Sequence, residues 1–77
     1  MNPEHVKARS IRGAVITVST SRTKETDKSG QTVIHLMEDA GIGISHYAIV
    51  PDELHAIRNE LMKALDCSDC VVLSGGT

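Results

Sequence analysis

Three short runs rich in β-branched residues constrain the fold: G-A-V-I-T-V-S at residues 13–19, I-S-H-Y-A-I-V at 44–50 and C-V-V-L-S at 70–74. Between them, apolar residues recur at helical spacing, first Val33, Ile34, Met37 and Ala40, then Leu54, Ile57, Leu61, Ala64 and Leu65. A strand that is apolar at nearly every position is covered on both faces, as in parallel sheets flanked by helices. The order is thus β-α-β-α-β, and helical crossovers join parallel strands. The expected fold is a three-layer α/β domain, a mainly parallel sheet with helices on its faces. The third run ends one residue into a turn at Ser74, Gly75, Gly76 and Thr77, so residues 13–77 are expected to be the N-terminal part of a longer domain, incomplete at its C-terminus. Residues 1–12 are polar, mixed in charge and without a period, the pattern of a flexible arm.

Local signals set the expected boundaries. Ser29 is placed to cap the first helix, and Gly41 to end it in the left-handed conformation. Pro51 closes the second strand and Asp52 is placed to cap the second helix. The second strand is less uniformly apolar than the first and belongs nearer a sheet edge.

Composition narrows the class of partner. A 77-residue chain buries only about 60% of the surface its unfolded form exposes, enough for one core. Tyr47 is the only aromatic residue, so branched aliphatics must build that core. A net charge of -2 with no basic face, and no aromatics for base stacking, argues against nucleic acid. No run approaches the roughly 18 apolar residues of a membrane helix, and none of the first twelve resembles a signal peptide. Two cysteines make no disulfide framework, which suits the cytoplasm. A small-molecule partner is expected.

Parallel strands end at one edge, so residues 19–30, 51–53 and 74–77 meet there. Ser74 to Thr77 offer open backbone N–H groups and two hydroxyls, suited to a phosphate or a polar heterocycle, or merely to a strand-to-helix turn. Asp52 can hold Mg²⁺ or orient a nucleophile, or simply cap its helix. Arg22, Lys24 and Lys28 can neutralise phosphates, while Asp27, Ser29 and Gly30 sit where a helix N-terminus favours anions. Neither a Walker-type loop nor G-x-G-x-x-G is present. Cys67 and Cys70 form a C-x-x-C that follows a helix C-terminus, where the dipole opposes a thiolate, and His5, His35, His46 and His55 do not complete a zinc set.

V-I-T-V-S-T-S-R at 15–22, T-D-K-S-G at 26–30, A-I-V-P-D-E at 48–53 and V-V-L-S-G-G-T at 71–77 together resemble the molybdopterin-binding family, and within it the branch that includes the molybdopterin adenylyltransferases. The resemblance runs in order from about Gly13 to the last residue. It implies a role in molybdenum cofactor biosynthesis, with molybdopterin and ATP as substrates, Mg²⁺ as cofactor, and a homotrimer or dimer of trimers. The implied reaction is adenylyl transfer: the terminal phosphate of molybdopterin attacks the α-phosphate of Mg-ATP and pyrophosphate leaves. By the same resemblance, Ser74, Gly75, Gly76 and Thr77 hold the pterin and its phosphate, and Asp52 is the metal-binding and catalytic carboxylate. Ser19, Arg22, Asp27, Ser29 and Gly30 line the neighbouring pocket. Thr20 stands where many relatives carry an aspartate. The family continues past Thr77 with another glycine and a second catalytic aspartate, so the 77 residues alone are expected to be inactive and poorly stable. The alternatives are a molybdopterin-binding or assembly protein without catalysis, a relative from the competence-damage-inducible or molybdenumtransferase branches, against which T-D-K-S-G counts, and a flavodoxin-like binding module.

Overall fold

The computed structural model describes residues 10–75; Gly76, Thr77 and residues 1–9 of the expected arm lie outside the described residues. Five elements alternate: β1 (Ile11–Val18), α1 (Lys28–Asp39), β2 (Ile42–Val50), α2 (Leu54–Cys67) and β3 (Cys70–Gly75). All strand pairs are parallel, in the order β2-β1-β3. This is the expected α/β architecture, with β1 central.

β1 carries the core on both faces because its side chains alternate between two helices. Ala14 and Ile16 are wholly buried with Ala64 of α2 and Val50, and Val18, Val71, Ala56, Ile57 and Leu61 pack around them. On the other face Gly13 lies beneath Met37 of α1, and Thr17 reaches Asp27 at the start of that helix. The two helices therefore cover opposite faces, which makes three layers.

Several details differ from the sequence expectations: β2 begins at Ile42 rather than residue 44, and β3 runs on to Gly75 rather than ending at residue 74. β1 begins at Ile11 rather than residue 13, and Arg12 is tied in rather than belonging to an arm: its N–H donates to Asp69 Oδ2 at 2.8 Å, and the Asp69 N–H donates back to its carbonyl at 2.8 Å. α1 is capped by Asp27, not Ser29, which lies inside the helix; the Asp27 side chain accepts from the Gly30 N–H. α2 is capped by Glu53, not Asp52; both Glu53 oxygens accept, from His55 N at 3.0 Å and Ala56 N at 2.9 Å. A Pro51–Glu53 turn, closed by the Glu53 N–H on the Pro51 carbonyl at 2.8 Å, puts Asp52 at its tip. Finally, Leu54 and Leu65 are exposed at 74% and 56%, so the buried stripe of α2 is narrower than its periodicity and centres on Ala56, Ile57, Leu61 and Ala64. The α1 stop behaves as expected, with Gly41 at φ 86° and its N–H on the Glu38 carbonyl.

β2 carries a bulge. Gly13 pairs with Ile44 but Ala14 pairs with His46, leaving Ser45 as the extra residue. Its hydroxyl donates to the Gly13 carbonyl at 3.2 Å and lies 2.7 Å from the Ser68 hydroxyl. Ile42, on the Gly13 side, and Tyr47, which reaches Asp27, face α1; His46 faces α2, where it meets Glu60 at 2.6 Å.

Candidate functional site

The three strands end together: Val18 is level with Val50 on one side and Gly75 on the other. The connection after β1 leads to α1 on one face, and that after β2 leads to α2 on the opposite face. Adjacent strands whose connections part in this way leave a crevice beyond their carboxyl ends, the usual ligand position in open α/β sheets. Residues 19–27 and the Pro51–Glu53 turn flank it.

The long connection after β1 is ordered by its own hydroxyls. Ser19 Oγ accepts from the N–H groups of Ser21 and Arg22, at 3.3 and 3.1 Å, which turns the chain as it leaves the strand. Thr26 Oγ1 accepts from the Thr23 N–H at 2.9 Å and closes a second turn. These contacts bring Arg22 back over the start of α1. One of its Nη atoms donates to Ser29 Oγ at 3.2 Å and lies 3.7 Å from Asp27 Oδ1. Ser74, near the end of β3, donates to Ser29 Oγ at 3.4 Å. Six of the expected site residues, Ser19, Arg22, Asp27, Ser29, Gly30 and Ser74, therefore belong to one hydrogen-bonded network across the sheet edge.

Asp27 is the centre of that network. Its side chain is wholly buried. Oδ2 accepts from Thr17 Oγ1 and from the Tyr47 hydroxyl, both at 2.6 Å. Oδ1 accepts from the Gly30 N–H at 3.1 Å and Ser29 Oγ at 3.4 Å. Burial pushes this carboxyl upward, but the hydrogen bonds from Thr17, Tyr47 and Gly30 and the Arg22 guanidinium outweigh it and hold Asp27 below its ordinary value of 3.8. Burial, reinforced by the hydrogen bond to Asp27 and the charges of Asp27 and Glu25, pushes the Tyr47 phenol up to about 12. Gly30 is required for this approach: a Cβ there would run into the Asp27 carboxylate and lie 2.7 Å from Thr17 Oγ1.

Asp52 differs in kind. It is exposed, and among the described residues it has no hydrogen-bond or ion-pair partner. Gly75 ends β3 with φ 104°, and a Cβ there would strike the Val18 carbonyl, so only glycine brings the chain this close to β1. Lys24 lies over the half-buried Tyr47 ring, 5.3 Å from its centroid. Cys67 and Cys70 are free thiols; their nearest polar contacts are the Ala64 carbonyl at 3.6 Å and the Arg12 carbonyl at 3.9 Å. Among the described residues no three His, Cys, Asp or Glu side chains converge as a metal site.

A family model described as "Probable molybdopterin binding domain" matches residues 14–77. The chain belongs to this family. It is 45% identical over 69 residues to molybdenum cofactor biosynthesis protein B of Bacillus subtilis (strain 168), a match over 87% of this chain and 41% of that protein. The protein of the same name from Staphylococcus aureus (strain MRSA252) is 40% identical over 72 residues, covering 90% of this chain and 43% of the relative. A crystal structure of molybdenum cofactor biosynthesis protein B superposes with a TM-score of 0.83 at 35% identity, over 90% of this chain and 44% of that one. The chain thus spans less than half the length of the relatives it matches.

Within this member of the family, two residues of the Asp27 network escape the sequence reading. Thr17 and Tyr47 hold Asp27 from within β1 and β2, away from the turns that carry the sequence signals. Thr17 carried a signal, as the hydroxyl within the buried run of β1 that must find a partner. Tyr47 did not, because the bulge at Ser45 decides which face it takes. No helix among the described residues is long and apolar enough to cross a membrane.

Proposed function

We propose that this domain binds molybdopterin at the C-terminal edge of its sheet and serves molybdenum cofactor biosynthesis, with the full-length protein transferring AMP from Mg-ATP to the terminal phosphate of the pterin. The observation that carries the reading is the pairing at one edge of fixed donors with an uncommitted carboxylate. Arg22, Ser29 and Ser74 are held in a network, while Asp52 stands free of the capping role at the tip of its turn. Phosphoryl chemistry needs such positioned donors more than a protein nucleophile.

In this reading Arg22 and the Ser74 hydroxyl orient the pterin phosphate, and Gly75, Gly76 and Thr77 are assigned to pterin binding by the family resemblance alone. The phosphate oxygen forms a bond to the α-phosphorus as the bond from that phosphorus to the bridging oxygen breaks, and pyrophosphate departs with the electron pair. Mg²⁺ is commonly held by one or two carboxylates together with substrate phosphates, so a lone exposed Asp52 fits it and a protein cage is unnecessary. When bound, the ion supplies neutralisation of the phosphate charge. Assembly as a homotrimer or a dimer of trimers in the cytoplasm belongs to the same proposal.

Thr20 favours a second reading, a binding or assembly protein without catalysis, because it is an exposed hydroxyl where many relatives carry an aspartate. The deciding experiment supplies molybdopterin and Mg-ATP to the full-length protein and to Asp52→Asn, and measures pyrophosphate and adenylylated pterin. Turnover that is lost in Asp52→Asn while pterin binding persists supports the transferase. Saturable binding with no turnover in either protein supports the second reading, and no pterin binding at all overturns both.

A further inference from the structure

Asp27 has no capacity left for a ligand. A carboxylate offers about four acceptor positions, and here Thr17, Tyr47, Gly30 and Ser29 occupy them while Arg22 lies alongside. No part of the side chain reaches solvent. Yet among the described residues the same carboxylate is the only buried anion beside Arg22, whose own side chain remains 31% exposed. A guanidinium on a loop of hydroxyl-rich residues has many rotamers, and fixing one before a ligand arrives removes an entropic cost from binding.

We infer that Asp27 is a positioning residue: braced from below by Thr17 and Tyr47, it holds the Arg22 guanidinium against Ser29 and beside Ser74, where an anionic ligand meets it, and contacts neither ligand nor metal itself. This rests on the molybdopterin reading above, and it separates two of the expected pocket residues: Arg22 touches the phosphate, and Asp27, braced by Thr17 and Tyr47, aims Arg22. Tyr47 has a particular part. It links the aim of Arg22 to β2, the strand that leads into the turn carrying Asp52, so both sides of the crevice are set from one buried carboxylate.

The test is a double-mutant cycle on the full-length protein, with molybdopterin as the probe, titrated calorimetrically without oxygen, and urea midpoints recorded in parallel. Arg22→Ala and Asp27→Asn each raise Kd about tenfold, as expected for one hydrogen bond to a charged group. Asp27→Asn adds nothing to Kd once Arg22 is alanine, although it still lowers the urea midpoint. Equal losses from Asp27→Asn in both backgrounds would overturn the inference, since Asp27 would then act directly or through the fold at large. Unchanged affinity in Arg22→Ala would overturn it too. If Asp27→Asn does not fold, Tyr47→Phe takes its place in the cycle: it raises Kd about threefold with Arg22 present and not at all without it, and additivity again defeats the idea. An unsubstituted protein that binds no molybdopterin would instead remove the reading beneath the inference, and both fall together.

Discussion

The Tyr47 hydroxyl donates to Asp27 Oδ2 at 2.6 Å, joining the only aromatic residue of the chain to the N-cap of α1, 20 positions away. Thr17 donates to the same oxygen, so one carboxylate ties β1, β2 and α1 together directly beneath the crevice. The stability of that corner and the geometry of the edge are therefore set by the same few atoms.

The phenol makes this corner observable. Tyr47 is the sole tyrosine of the sequence, and its folded-state value is raised from 10.0 to about 12. A group whose value is raised on folding contributes stability that is complete below the unfolded value and lost as pH climbs through the folded one. Phenolate absorbance of this domain should titrate near 12 when folded and near 10.0 in urea. Asp27→Asn should move the folded midpoint down, because it removes a nearby negative charge; an unmoved midpoint would contradict the assigned contact.

Acid sensitivity follows from Asp27 with the opposite sign. Its folded value lies below 3.8, so its contribution is complete above that pH and fades as pH falls through the folded value. Thr17→Val removes one of the donors that depress it. The variant should lose about 1–3 kcal/mol at neutral pH, and its acid unfolding, followed by circular dichroism, should begin at higher pH than that of the parent.

Gly30→Ala and Gly41→Ala separate two uses of glycine. At Gly30 the added methyl has no room between Asp27 and Thr17, and the loss should reach about 2–3 kcal/mol, because the obstacle is a pinned carboxylate. At Gly41 a Cβ meets nothing within 4 Å, so only the left-handed conformation resists it, at about 1 kcal/mol. Urea midpoints rank the two.

The turn after β2 gives a reversal of the usual helix-capping preference. Glu53→Ala should destabilise by about 1 kcal/mol by releasing two N–H groups of α2. Asp52→Ala should leave thermal unfolding nearly unchanged. If Asp52→Ala proves the more damaging to stability, the free carboxylate at that turn is not free.

The strands and helices were legible in the sequence because double-sided burial leaves a continuous β-branched run and helix docking leaves a 3.6-residue stripe. Both signals are carried by many residues at once. The caps were not, because they depend on single contests between adjacent candidates. Asp27 and Ser29 are equally good caps by type, and the outcome follows from Gly30, whose missing side chain lets a carboxylate settle over the first turn. Asp52 outranks Glu53 by type, yet the tight turn at Pro51 leaves it at the tip while both Glu53 oxygens reach N–H groups of the first turn. The edge residues that share the network, among them Arg22, Ser29 and Ser74, stand out in the sequence because turns and hydroxyls after strands are conspicuous. Thr17 and Tyr47, which hold Asp27 from β1 and β2, lie inside strand runs where single side chains carry no turn or motif signal.

Ser45 is the surplus residue of β2, and everything after it is counted from the far side of the irregularity. Ile42 and His46 have the same parity in sequence but meet different helices, so the alternation changes hands once along this strand. A deletion at Ser45 would leave the pairing of residues 46–50 with β1 intact, whereas a deletion at any position from 47 to 49 would shift part of the strand onto the wrong face. Ser45 is therefore a position at which the length of the strand can be edited without disturbing the crevice, and drift in the spacing between T-D-K-S-G and A-I-V-P-D-E of related chains should accumulate there.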